Sequence, residues 1–271
     1  MSHFAVAVLT AEGQDVDGLL APYMENCCDT PDYRYMEFYD GAEVYRDDYE
    51  NGTVSKLRCP DGTLMSKYDK SFAVRSKDKS GLTHERYEYP EGYEVVEIPC
   101  KDAYKTIEDY LQDWHGYEKD PMTGKYGYWQ NPNAKWDWYD EDGGRFRKYA
   151  EELIGAQSIA VADIKFDADE HREAAEAWWQ ANMDADGKPK TPFALWENDG
   201  MNHDQFVESR AHVSFRAVVT PDGKWHEPGE MGWFGISSES ADEMFEWRLR
   251  FEERFLEPYR DCTLTVVDCH I

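Results

Sequence analysis

The chain has 271 residues, with 56 acidic and 29 basic side chains, and its formal net charge at pH 7 is −27. A charge of this sign repels polyanions, which argues against a generic nucleic-acid binder and against binding to anionic membranes. Hydrophobic residues make up 41% of the chain and aromatic residues 15%, which is too apolar for a disordered acidic tail. We therefore expect a folded, strongly acidic globular protein.

Length favours one or two domains, and we interpret residues 1–271 as a single domain with a loop-rich insertion at 40–93. No run of about 18 apolar residues is present, and the opening MSHFAVAVLTAEG lacks the basic region of a signal peptide. These features predict a cytoplasmic protein. The six cysteines include no C-x-x-C pair, so we expect reduced, buried packing thiols.

Short apolar or aromatic runs predict strands in the first hundred residues. Residues 4–9 (FAVAVL) alternate and end at a polar turn, residues 33–39 (YRYMEFY) are bulky, and residues 94–98 (EVVEI) stop at Pro99. Residues 19–26 predict one or two helical turns. Glycine and proline punctuate residues 40–89, which predicts loops and hairpins there.

Three later segments have helical periodicity. A stripe of apolar residues predicts a helix over 102–114. Asp167 is placed to cap a second helix over 167–183, with Glu170 in the position of a capping box. Ser240 and Glu243 form another capping box, and the helix that follows ends before Pro258.

The last seventy residues complete the fold prediction. Residues 213–220 and 224–227 flank the turn PDGK and predict a hairpin. Residues 263–271 (TLTVVDCHI) alternate and are β-branched, which predicts a final strand. The class is therefore α+β, a mixed or antiparallel sheet with N- and C-terminal strands, helices packed on one face and a loop-rich middle insertion. If 4–9 and 263–270 pair, the two ends close the sheet.

Several segments resemble a family of uncharacterised proteins encoded by bacteriophages and prophages. They are MSHFAVAVLT, LAPYMEN, EDYLQDWHGY, GYWQNPNAKWDWY with the following GGR, GKWHEPGEMGWFG and the terminal TVVDCHI. The resemblance implies an accessory protein that acts in the cytoplasm of the host bacterium, where such proteins counter antiviral defence. One departure is Phe146, at a position where the family pattern has tryptophan.

The segment 117–149 is the densest candidate for a ligand site. It holds nine aromatic residues and equal numbers of basic and acidic residues, so a small planar anion would not be repelled there. Aromatic rings stack on bases, amides read base edges, and Gly143–Gly144 before Arg145 could meet a phosphate. The alternative is an aromatic core around an irregular loop, with Asp137 and Arg145 paired. The candidate ligand-binding residues are Tyr128, Trp129, Asn131, Asn133, Lys135, Trp136, Trp138 and Arg145.

Histidines near both ends form a second candidate. His3 and His270 come together if the terminal strands pair, and Asp268 lies on the same strand face as His270. With His115 at a helix end, a cluster for acid–base chemistry or metal ligation is conceivable. The candidate catalytic residues are His115, Asp268 and His270. The alternative is that these histidines only form hydrogen bonds at element ends, and since no ligand spacing is present we assign no metal and no cofactor.

The HEPGE loop is open to two interpretations. His226 and Glu227 could belong to a loop that closes on the aromatic segment, or to a wide hairpin with Trp233 and Phe234 anchored in the core.

An acidic stretch offers a different kind of function. Residues 12–50 contain twelve acidic side chains and two arginines, and such a surface could imitate DNA and occupy a basic host protein. A solvated surface that keeps the protein soluble is the alternative.

Three hypotheses follow, in this order. The first is a phage accessory protein that counters host defence by binding a nucleotide-type ligand. The second is an acidic inhibitor, or DNA mimic, of a basic host defence enzyme. The third is a hydrolase acting on a phosphorylated substrate. None of the three needs a membrane or direct contact with nucleic acid.

Overall fold

The structure is a computed structural model that describes residues 3–25, 33–77, 79, 82–230 and 237–271. Its contacts divide the chain into two compact units. Unit 1 comprises Met1–Met36 together with Asn131–Ile271, and unit 2 is the continuous segment Glu37–Gln130. The insertion predicted at 40–93 falls within unit 2, which continues to Gln130.

The secondary structure alternates short strands and helices. In chain order the described strands are β1 (His3–Thr10), β2 (Glu37–Asp40), β3 (Thr53–Arg58), β4 (Leu64–Ser66), β5 (Ala73–Lys77), β6 (Thr83–Tyr87), β7 (Glu94–Pro99), β8 (Gly127–Gln130), β9 (Trp138–Asp140), β10 (Ser158–Ala160), β11 (Ala217–Val219), β12 (Trp225–His226) and β13 (Thr263–His270). The described α-helices are α1 (Val16–Leu20), α2 (Gly41–Val44), α3 (Arg46–Asn51), α4 (Cys100–Ala103), α5 (Ile107–Asp113), α6 (Arg147–Ile154), α7 (Ala168–Asn182), α8 (Pro192–Glu197), α9 (His203–Ser209) and α10 (Ala241–Phe251). Tighter 3₁₀ turns occupy Ala21–Tyr23, Tyr33–Tyr35, Lys70–Phe72, Gly144–Phe146 and Val161–Asp163, and a π-helical turn, Glu252–Leu256, continues α10.

Unit 1 is built on a mixed sheet in which the two terminal strands lie at the centre. The strand order is β10-β13-β1-β11-β12, and β9 also pairs with β13. β1 and β13 are antiparallel over eight residue pairs, from His3↔His270 to Thr10↔Thr263, while β1 and β11 are parallel. The predicted α+β class with a mixed sheet is therefore confirmed, as is the pairing of the terminal strands.

Both faces of this sheet are buried, which explains why 4–9 is a continuous apolar run. On one face Ala5, Ala7 and Leu9 pack in a large core with residues of α6 to α10. On the other face Phe4, Val6 and Val8 pack with residues of α1 and with Trp136. The longer helices thus cover one face, as predicted, and the second face is closed by one short helix and isolated aromatic residues.

Helix boundaries follow local capping chemistry. Asp167 caps α7, and the Ser240–Glu243 capping box begins α10, as the sequence predicts. The single helix expected over 102–114 is instead two helices, because Tyr104 is extended and Thr106 forms a capping box with Asp109 that begins α5. The strand expected over 33–39 begins with a 3₁₀ turn and becomes extended only in β2.

Unit 2 consists of three small sheets and four short helices among the described residues. The sheets are β2-β8, β4-β3-β7 and β5-β6, so the predicted hairpins are present. Its core contains Val54, Cys100, Tyr104 and Tyr110.

Burial of the cysteines agrees with a packing role. Cys100, Cys262 and Cys269 are buried and Cys59 is half-buried, all with free thiols, while Cys27 and Cys28 lie outside the described residues. In the part of the chain that the structure describes, no helix is long and apolar enough to cross a membrane.

Candidate functional site

The boundary between the units cuts through the aromatic segment 117–149. Tyr128 and Trp129 belong to unit 2, whereas Asn131 and the residues after it belong to unit 1. In unit 2 the ring of Tyr128 stacks on Tyr39 at 5.4 Å, and Trp129 donates its indole N–H to Asp120 at 2.9 Å. These two candidate ligand residues therefore pack against their own sheet, β2-β8.

His115 also belongs to unit 2, where aromatic side chains enclose it. Its ring centre lies 4.0 Å from Tyr45 and 5.0 Å from Tyr110, and it stacks on Tyr117 at 5.6 Å. Burial lowers the pKa of His115, and its buried Nε2 has no hydrogen-bond partner among the described residues. The described contacts of His115 are those of a packing residue in unit 2.

Two of the candidate ligand residues in unit 1 are interior residues. Asn131, which is 1% exposed, donates to the carbonyl oxygens of Pro22 and Met24 and accepts from the backbone N–H of Asn133. Trp136, which is 4% exposed, packs in the second core. Both tie the segment 131–136 to the chain before it, which positions the residues on either side.

Asn133 and Lys135, by contrast, line a cleft of about 400 Å³ beside β12, the edge strand of the main sheet. This volume lies in the range of small-molecule sites. The cleft is lined by Tyr23, Asn133, Lys135, Lys224, Trp225, His226, Glu227 and Arg254. We call it the edge cleft. Three cations and one carboxylate face it, in a chain that is otherwise strongly acidic.

The cations of the edge cleft differ in their partners. Lys135 forms an ion pair with Glu227 at 2.7 Å, and Lys224 forms one with Asp222 at 2.6 Å. The Arg254 guanidinium lies over the rings of Phe255 and Trp247, at 4.9 and 5.5 Å, and has no carboxylate partner within the described ranges. Arg254 is thus the cation most available to an incoming anion.

Aromatic residues build the floor of the edge cleft. The Tyr23 hydroxyl accepts from the backbone N–H of Trp225 and donates to the carbonyl of Gly223, and the Tyr23 and Trp225 rings lie 5.3 Å apart. His226 packs on Phe255 at 5.1 Å. Burial, and secondarily the nearby Arg254 charge, lower the pKa of His226, which favours the neutral imidazole.

The second candidate, the histidine cluster, is assembled at one end of β1 and β13. His3 Nδ1 lies 2.8 Å from Asp268 Oδ1, and His270 Nδ1 lies 2.6 Å from Asp137 Oδ1. The two imidazole centres are 5.1 Å apart. Asp268 and His270 are only 2% and 3% exposed. The structure therefore confirms the grouping of His3, Asp268 and His270. Asp137 pairs with His270, whereas the sequence suggested Arg145 as the partner of Asp137.

The Gly143–Gly144 turn brings the backbone close to the Asp268 carboxylate. The backbone N–H of Arg145 donates to Asp268 Oδ2 at 3.0 Å. A β-carbon on Gly144 would lie 2.5 Å from that same oxygen, so only glycine allows this approach. The backbone amide that the sequence suggested for a phosphate is occupied by a carboxylate, while the Arg145 side chain is exposed.

Trp138 covers the histidine cluster from β9. Its ring stacks on His270 at 5.0 Å and meets the edge of His3 at 5.3 Å, and 44% of the side chain remains exposed. We call Trp138, Arg145, the two histidines and their two aspartates the histidine site. Among the described residues, no group of three or more His, Cys, Asp or Glu side chains is arranged to hold a metal ion.

No family model, curated protein or solved structure matches the chain. Most of the segments on which the expected resemblance to phage proteins is based lie in unit 1, whereas EDYLQDWHGY and GYWQ lie in unit 2. The histidine site draws on MSHF, KWDWY, GGR and VVDCHI, and the edge cleft draws on LAPY, NPNAK and GKWHE.

Some residues of these sites were not indicated by the sequence. Tyr23 and Arg254 reach the edge cleft from segments far apart in the chain, with no shared local pattern. His226 and Glu227 were indicated by the HEPGE motif, and both line the cleft, while Trp233 and Phe234 lie outside the described residues. The acidic stretch 12–50 is divided between the two units, and Asp29 and Asp32 within it are also outside the described residues.

Proposed function

We propose that unit 1 binds a small anionic, nucleotide-type ligand in the edge cleft. The observation that carries the proposal is the convergence of Lys135, Lys224 and Arg254 on one cleft in a chain with a net charge of −27. The cations of the edge cleft attract a small anion, whereas the acidic surface of the rest of the chain repels a long polyanion. A ligand with one or a few phosphates fits both conditions.

Arg254 is the main phosphate ligand in this proposal. Its guanidinium is held over two aromatic rings and has no carboxylate partner in the described chain. A planar guanidinium binds phosphate oxygens in a bidentate manner, and its positioning by the rings reduces the entropy lost on binding. Lys135 and Lys224 would turn from their present carboxylates towards the same phosphate.

The planar part of the ligand would contact Tyr23 and Trp225, which are both half-buried. Stacking of a base on such rings contributes about 1–3 kcal/mol. The exposed amide of Asn133 and the carboxylate of Glu227 offer acceptors for base amines or sugar hydroxyls. The cleft thus combines cationic, aromatic and acceptor groups, which is the set that a nucleotide requires.

The biological role that we attach to this binding is to counter a host antiviral defence inside the bacterial cell. It is supported by the resemblance to phage and prophage proteins. A plaque assay on defence-bearing hosts tests it, because phage carrying a cleft variant should lose the advantage that the unaltered protein gives.

Calorimetry and thermal shift test the binding directly. Adenosine, AMP, ADP, a cyclic mononucleotide and a cyclic dinucleotide form a panel that separates the need for phosphate from the need for a base. A ligand at 100 times its Kd should stabilise the protein by about 2.7 kcal/mol. Arg254→Gln should weaken binding about tenfold, because it removes a charge-assisted hydrogen bond worth about 1.5 kcal/mol or more.

Arg250→Gln is the matched control. Arg250 is exposed and pairs with Glu246 and Glu253 on the same helical segment, outside the lining of the cleft. The proposal is wrong if no phosphate-bearing member of the panel binds at millimolar concentration, or if the two arginine variants bind equally well.

A further inference from the structure

Two carboxylate–histidine pairs lie at one end of the two central strands of the main sheet. Asp268 and His270 are almost fully buried, and the Nε2 atom of His270 has no partner in the described part of the chain. Burying such groups costs free energy that apolar residues at the same positions would not cost. Residues that break the local rules of a core in this way concentrate at functional sites.

We propose that the histidine site is a second, catalytic site, where His3 acts as the general base and acid in hydrolysis of a nucleotide-type phosphoester. This proposal does not depend on ligand binding in the edge cleft.

The hydrogen bonds of Asp268 determine the state of His3. One carboxylate oxygen accepts from the backbone N–H of Arg145, and the other is 2.8 Å from His3 Nδ1. A carboxylate only accepts, so the proton of the neutral imidazole lies on Nδ1 and the lone pair lies on Nε2. An aspartate that fixes the tautomer in this way leaves Nε2 ready to take a proton.

Of the two histidines, His3 is the more accessible. Its side chain is 13% exposed, against 4% for His270. His270 is held by Asp137 and stacks under Trp138, and both rings contact His3 edge to face. His270, Asp137 and Asp268 are therefore positioning residues, and His3 is the residue placed to meet a substrate.

Arg145 and Trp138 indicate the substrate class. The Arg145 side chain is exposed and has no ion-pair partner within the described ranges, although the chain is rich in carboxylates. Its backbone N–H is held by the same Asp268 carboxylate that contacts His3, so the side chain of Arg145 begins at a fixed backbone position. A phosphate suits this cation, and the partly exposed indole of Trp138 suits a base.

The reaction balances with water alone. His3 Nε2 takes a proton from water as the water oxygen forms a bond to phosphorus. The bond from phosphorus to the leaving oxygen breaks with its electron pair, and this oxygen receives the proton from His3. A phosphodiester and water thus give a phosphomonoester and an alcohol, and the imidazole returns to its starting state.

The test measures turnover of nucleoside 2′,3′-cyclic monophosphates, a dinucleoside monophosphate and bis(p-nitrophenyl) phosphate by the full chain. His3→Gln should lower kcat/KM at least 100-fold, the range for loss of a general base. Arg145→Gln should mainly raise KM. His203→Gln is the matched control, because His203 also contacts two carboxylates, Glu176 and Asp204, but 43% of its side chain is exposed. It should leave turnover unchanged.

Asp268→Asn separates positioning from folding. The backbone N–H of Arg145 can donate only to the amide oxygen of the new asparagine, so this oxygen takes the position of Oδ2. The amide N–H₂ then faces His3 Nδ1. His3 is then forced into the Nε2–H form and loses its basic lone pair, which nitrogen-15 NMR detects as an exchange of the two ring nitrogen shifts. Turnover should fall as far as in His3→Gln while the thermal transition persists.

The proposal is overturned if the unaltered protein hydrolyses none of these phosphoesters, or if His3→Gln and His203→Gln retain equal activity. Neither result bears on the proposal for the edge cleft, because calorimetry with the nucleotide panel tests that site separately.

Discussion

Gly144→Ala probes the closest approach in the histidine site. Gly144 has a φ of +41°, and an added β-carbon would lie 2.5 Å from Asp268 Oδ2 and 2.9 Å from Asp268 Cβ. The positive φ alone costs an alanine about 1–2 kcal/mol. The contact adds more, because Asp268 must give up the hydrogen bond from Arg145 or from His3, which costs about 1–3 kcal/mol for a buried group.

We therefore expect Gly144→Ala to reduce the free energy of unfolding by about 2–5 kcal/mol. Gly13→Ala is the matched control, since Gly13 is also in unit 1 and has a φ of +83°, but nothing lies within 4 Å of its added β-carbon. The free energy of unfolding of Gly13→Ala should fall only by the cost of placing alanine at a positive φ. The difference between the variants, about 1–3 kcal/mol, corresponds to several degrees in Tm for a unit of this size.

Differential scanning calorimetry of both variants measures this difference. The two units can unfold in separate transitions, so the comparison uses the transition that Gly13→Ala moves. If both variants lose the same free energy of unfolding, Asp268 can move away from the added β-carbon at no cost. The close packing of the glycine turn would then not be what holds the carboxylate.

Two further predictions concern stability. Asn131→Asp should cost about 3 kcal/mol or more in chemical denaturation, because a buried donor to two carbonyl groups becomes a charged acceptor; the exposed Asn133→Asp should change stability by less than about 0.5 kcal/mol, and a similar loss in both would refute the anchoring role. Burial lowers the pKa of His115 in the folded state, so the unfolded state binds more protons below about pH 6.5 and stability should fall as pH falls through this range. His115→Gln should flatten that dependence in denaturation curves at pH 7.5 and 5.5, and an unchanged slope would contradict it.

Local signals predicted four strands of the main sheet, β1, β11, β12 and β13, but not β9 or β10. The alternating β-branched residues of 263–271 and the apolar run 4–9 predicted the two central strands, which pair from His3↔His270 to Thr10↔Thr263. Asp167 and Ser240 marked helix starts because capping depends only on neighbouring residues. The break near Tyr104 was missed although the Thr106–Asp109 capping box was present, because the apolar stripe over 102–114 continues across it.

The histidine site was predictable because the register of two strands carried the information. His3, Asp268 and His270 followed from the pairing of two strands, but the partner of His270 did not, since Asp137 reaches it from the start of β9. The edge cleft depends on tertiary packing between segments without a common pattern. Arg254 lies in a π-helical turn, which alters the angular spacing that helical periodicity assumes.

The pairing of β2 with β8 has a consequence for how the chain folds. The register Glu37↔Gln130 places the first and last residues of unit 2 opposite each other on adjacent strands. Once unit 2 has formed, its two ends are held together, so the loop between Thr10 and Thr263 is in effect shorter by roughly 90 residues. Because the closure entropy depends only on the logarithm of loop length, this lowers the cost of pairing β1 with β13 by about 0.4 kcal/mol. Early folding of the inserted segment would thus speed assembly of the surrounding sheet.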